Sequence, residues 1–184
     1  MSFDLTVRTA TPTKLAPDAL LDRLHAVLRR VLRQPADFVT DTSLRILGGA
    51  LPVEIIPEGE VLVAAWEEHR WNSLLLSYGA CSDADYDPSW KPRYYFTVTD
   101  LKGGDAFQLT MAVCMAIAAA GLLGADVIED ASGMLDLEAL KQTVPVQFLM
   151  QRSVPEGLSP LDAADAFWWA LPGRDHRPTP PISA

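Results

Sequence analysis

Hydrophobic and polar residues alternate at the start of the chain. Phe3, Leu5 and Val7 fall on one side and Asp4, Thr6 and Arg8 on the other, the period of a half-buried strand over Phe3–Thr9. The period then changes. Leu20, Leu21, Leu24, Val27, Leu28, Val31 and Leu32 recur at helical spacing and make one apolar stripe between Pro17 and Arg33. Pro17 suits the first helical position, where its missing N–H is no loss. Arg29, Arg30 and Arg33 suit the negative C-terminal end of the helix dipole.

From Thr42 to Thr99 the pattern is one of strands. Short apolar runs lie at Leu44–Leu47, Val53–Ile56, Val61–Trp66, Trp71–Tyr78 and Tyr94–Val98. Gly48-Gly49 and Pro57-Glu58-Gly59 punctuate them as turns, Glu67 to Arg70 reads as a hairpin tip, and Ala80 to Pro92 reads as a polar loop. A second helix is predicted from Asp105 to Leu123, with Asp105 as N-cap and Gln108 as capping-box partner. It is apolar almost all round: Leu109, Met111, Val113, Met115 and Ile117 stand among alanines and Gly121, and the small residues allow close approach to a sheet. The apolar stretch is about 15 residues long, short of the roughly 20 that span a bilayer, so it predicts a core helix. Gly124 ends it, and Asp126 to Asp130 resumes as a short strand.

In the last third, Leu137–Gln142 reads as a helical turn, Val144–Met150 as a strand, and Ser159-Pro160 as the cap and first residue of a helix reaching about Leu171. A single domain over residues 1–172 is followed by an extended proline-rich tail, residues 173–184. The order of strand, helix, a run of strands, helix and strand implies a two-layer α+β fold. Its sheet is mainly antiparallel with helices on one face, and a ferredoxin-like variant with extra central strands is the specific expectation.

Charge narrows the function. Among 184 residues, 15 are basic and 24 acidic, a net charge of −9. Nucleic acids and anionic membranes are recognised through Lys and Arg, so both are poor partners for this chain. A basic protein is a better one. The negative charge is concentrated: Glu54 to Asp87 holds eight acidic residues and one basic. Five tryptophans are present, and Trp66, Trp71 and Trp90 lie within or beside this acidic region. Aromatics beside charged groups are the usual anchors of a protein interface. The candidate partner-binding residues are therefore Trp66, Glu67, Glu68, Asp83, Asp85, Asp87 and Trp90.

Catalytic and metal motifs are wanting. The alternating carboxylates Asp83, Asp85 and Asp87 suggest a calcium loop, but Pro88 and Tyr94 stand where an EF-hand needs Gly and Glu. Gly103-Gly104-Asp105 lacks the glycine spacing and the lysine of a phosphate loop. His25, His69 and His176 have no second ligand at metal spacing. Ser132-Gly133 is not a nucleophile elbow, and pairs such as Glu129-Asp130 arise by chance in so acidic a chain. No catalytic residue, metal or cofactor is expected. Cys81 and Cys114 are expected as free thiols, and the N-terminus lacks the basic start and apolar run of a signal peptide; both point to the cytoplasm.

The segment from Phe96 through Gly104-Asp105, the Ala-rich helix, and Leu123-Gly-Ala-Asp-Val-Ile-Glu-Asp-Ala-Ser-Gly133 together resemble the small α+β immunity proteins of bacterial toxin–immunity systems. The resemblance spans about 40 residues. It implies a cytoplasmic, non-enzymatic protein that neutralises a toxin by occluding it, and it carries over no binding residue. Two other readings stay open: a small-ligand or scaffold protein with a pocket between helix and sheet, and an enzyme with a dispersed site.

Overall fold

The computed structural model describes residues 3–10, 17–34, 44–47, 59–67, 70–80, 94–100 and 105–174. Its elements in chain order are β1 (Phe3–Thr9), α1 (Pro17–Val31), β2 (Leu44–Leu47), β3 (Gly59–Glu67), β4 (Arg70–Ala80), β5 (Tyr94–Asp100), α2 (Ala106–Leu123), β6 (Val127–Asp130), β7 (Thr143–Pro145), α3 (Val146–Met150) and α4 (Pro160–Trp169).

The strands form one sheet in the order β2-β3-β4-β5-β1-β6-β7, and each neighbouring pair is antiparallel. β1 is an interior strand: Leu5 stands opposite Val98 of β5 on one side and Asp130 of β6 on the other. This is an α+β fold. The order β4-β5-β1-β6, with α1 after β1 and α2 between β5 and β6, is compatible with a ferredoxin-like core carrying extra strands.

Alternation along the strands decides which face the helices cover. Phe3, Leu5, Val7, Phe96, Val98, Leu74 and Leu76 are buried, while their neighbours Asp4, Thr6, Arg8, Thr97 and Ser77 are half-buried on the opposite face. On that polar face Thr6 and Thr97 share a hydrogen bond of 2.8 Å, and Arg8 Nε donates to Glu129 at 2.9 Å. The apolar face packs against α2, which is flanked by α1 and α4.

α2 explains why its sequence has no polar stripe. It buries 15 of its 18 residues, because sheet and helices surround it. It is apolar and long enough by composition to cross a bilayer, yet 83% of it lies inside the fold. Asp105 is its N-cap, accepting from Gln108 N at 3.1 Å, and the Gln108 side-chain amide donates to buried Asp100. Gly124 ends it in the left-handed region, φ 65°, where its N–H reaches Ala120 O. Thr110 Oγ1 donates to Ala164 O at 3.0 Å and ties α2 to α4. Ser159 caps α4 with Pro160 behind it, as the sequence predicts.

Two expectations are corrected. Val144–Met150 is not one strand: β7 stops at Pro145 and α3 begins at Val146. Pro145 has no N–H to continue a ladder, and its extended conformation (φ −62°, ψ 132°) places it at the N-cap of α3. Where a helical turn is expected at Leu137–Gln142, residues 137–140 form a turn, and Leu140 at φ 49° keeps it from extending. Gly173 and Arg174, expected at the head of an extended tail, pack against the domain. A Cβ on Gly173 would stand 2.6 Å from Leu137 Cβ, and Arg174 is 5% exposed. The strand expected at Val53–Ile56, and Cys81, lie outside the described residues.

Candidate functional site

The acidic region is only partly described. β3 and β4 pair along their whole length to Trp66↔Trp71 and Glu67↔Arg70. β5 meets β4 only from Leu74 to Ala80, and β2 meets β3 only from Leu62 to Ala65. Among the described residues, the pairing with both neighbouring strands stops short of the last hairpin pairs, Trp66↔Trp71 and Glu67↔Arg70. Glu68, Asp83, Asp85, Asp87 and Trp90 lie outside the described residues.

A second concentration of polar groups, unforeseen in the sequence, is buried where β1 begins and β5 and β6 end. The Asp130 carboxylate accepts from Ser132 N at 3.1 Å, Ser132 Oγ at 2.5 Å and Leu135 N at 2.7 Å. Gly133, at φ 66°, completes the turn through a 3.0 Å bond to Asp130 O. The Asp-x-Ser-Gly segment is thus a folded turn built on a buried carboxylate. Facing it is Arg174, whose guanidinium lies 4.1 Å from the Trp168 ring centroid and donates through Nη2 to Met134 O. Trp168 in turn meets Phe3 edge-on at 5.9 Å. Burial pulls the Arg174 guanidinium down to about 10, against the opposing pull of Asp130, so it stays a cation at neutral pH. Its Nη1 is buried without a hydrogen-bond partner among the described residues. The cluster fastens residue 174 to the sheet end.

The Cys114 thiol is equally committed to structure. It is free and fully buried in α2, and burial pushes it from the ordinary 9.0 up to about 12. That makes it inert as a nucleophile. It also predicts a pH dependence. Below pH 9 the thiol is protonated in both states. Above it the unfolded chain releases a proton that the fold retains, so stability falls as pH rises from 9 towards 12, by up to about 1.4 kcal/mol per unit. Chemical unfolding of the wild type and Cys114→Ala across this range should give a stability difference that shifts against the wild type; a constant difference would show the thiol to be accessible to solvent. Among the described residues no group of three or more His, Cys, Asp or Glu is placed to hold a metal ion.

The third feature is a groove in the helix layer. Arg23, Ala26, Val27 and Arg30 of α1, at i, i+3, i+4 and i+7, form one wall. Ile117 and Gly121 of α2 and Val146 and Met150 of α3, each pair four residues apart, complete it. The space is about 220 Å³ and partly open to solvent. Gly121 makes room for Arg23: a Cβ there would lie 2.6 Å from Arg23 Nε. Both arginines are exposed, and among the described residues neither makes an ion pair or a side-chain hydrogen bond. The groove lies among three helices, not between helix and sheet. In the sequence Arg30 reads only as a partner of the helix dipole, and Arg23 carries no signal.

Comparison of the chain with known protein families, with curated proteins and with solved structures finds no match to any of them.

Proposed function

We propose that the chain is a non-enzymatic binding protein of the toxin-neutralising kind, which occludes a basic protein partner through its acidic hairpin region. The register of the β3–β4 hairpin carries this reading, because it takes Trp66 and Glu67 past the described pairing with β2 and β5. Glu68, Asp83, Asp85, Asp87 and Trp90 supply further charge and a further aromatic in sequence. Three of the described carboxylates and the described thiol are held in structural roles. Asp130, Asp105 and Asp136 accept from backbone N–H groups, and Cys114 is sealed in α2.

Charge at an interface rim acts mainly on association. Reversing Asp83, Asp85 and Asp87 to Lys is expected to slow association with the partner toxin about tenfold at low salt and to flatten its salt dependence. Trp90→Ala is expected to speed dissociation instead, by about 2 kcal/mol for a buried anchor. Stopped-flow or surface binding to the product of the adjacent reading frame, with growth rescue on co-expression, reads both. An association rate untouched by the triple reversal would remove the acidic region from the interface.

A further inference from the structure

We infer that the groove between α1, α2 and α3 is a second docking site, distinct from the acidic hairpin, and that it takes an acidic amphipathic helix from a protein partner. Its walls are apolar (Val27, Ile117, Val146 and Met150), and its rim carries Arg23 and Arg30, exposed and unpaired among the described residues. In a chain of net charge −9, this places two uncommitted cations beside an apolar floor. An anion with an apolar body is the complement.

Size and spacing choose between a metabolite and a peptide. The groove's 220 Å³ falls below the roughly 300–1,000 Å³ of small-molecule pockets, but it suits one or two apolar side chains entering from outside. Arg23 and Arg30 are two helical turns apart, about 10.5 Å along α1. A partner helix lying beside α1 matches them with Glu or Asp seven residues apart and fills the floor with Leu or Ile three or four residues from each. The Arg23 guanidinium crosses the floor over Gly121, whose missing Cβ leaves room for it.

The test is fluorescence anisotropy with a labelled helical 16-residue peptide carrying two Glu seven apart and Leu between them, against its Lys-for-Glu counterpart. The Glu peptide should bind the wild type with a Kd of about 10–100 µM and the Lys peptide at least about tenfold more weakly. In Arg23→Glu/Arg30→Glu the preference should invert. Thermal melting should hold, since both side chains are exposed. Gly121→Leu should abolish binding, because its side chain fills the floor and takes the space that Arg23 crosses. Any of three results overturns the proposal: no peptide binding at 1 mM, equal Glu-peptide binding by the double reversal, or a dimer of this chain that the double reversal dissolves. Saturable binding of octanoate without binding of the peptide would equally overturn it in favour of a small carboxylate.

Discussion

Val113→Asp is expected to yield no folded protein. Val113 is wholly buried in α2, with the sheet and other helices around it. An unpaired carboxylate there costs several kcal/mol after relaxation, against a total stability of roughly 5–15 kcal/mol for a domain. The soluble fraction and the cooperative unfolding transition should both be lost. Ile117→Asp, on the same helix and only 3% exposed, is expected to be milder, because Ile117 borders the groove that holds Arg23 and Arg30. The new carboxylate would have two cations within its surroundings and solvent at the groove mouth. Parallel expression and urea unfolding of the two variants would read the contrast. Equal loss of folding would mean that the groove is closed to a charge, and a cooperatively folded Val113→Asp protein would mean that α2 is not core.

Asp130→Ala is expected to destabilise the protein by about 2–4 kcal/mol, because two backbone donors of the turn lose their acceptor at about 1–3 kcal/mol each. The substitution leaves Leu135 N and Ser132 N without their acceptor, and removes the nearby negative charge that favours the Arg174 cation. Asp130→Asn should recover part of the loss, since the amide oxygen still accepts from the turn but carries no charge for Arg174. Trp168 sits against that guanidinium, so its fluorescence follows the cluster directly. The measurement is urea unfolding followed by tryptophan emission and far-UV circular dichroism. A loss below about 1 kcal/mol for the alanine variant would reduce Asp130 to an ordinary turn residue.

The sequence by itself determined the elements whose hydrophobic pattern is strongly periodic. β1 follows from alternation, α1 from its stripe, and α2 from a capped apolar run too short for a bilayer; each is folded as its pattern predicts, and the α+β class follows from their order. Periodicity works there because burial on one face, or on every face, leaves its spacing in the residue types. It failed at Val144–Met150, where a short apolar run fits strand and helix alike and one proline divides it. Only the tertiary structure decided which residues share a place. Asp130 and Arg174 are 44 positions apart and carried no motif, yet the packing of the last turn against the sheet end buries them together. Arg23 drew no reading from the sequence and Arg30 only that of a dipole partner; α2 and α3 supply the opposite walls that make them the rim of a groove. A one-dimensional pattern records how much of each side chain is hidden; it does not record what hides it, because that depends on contacts between elements distant in the chain.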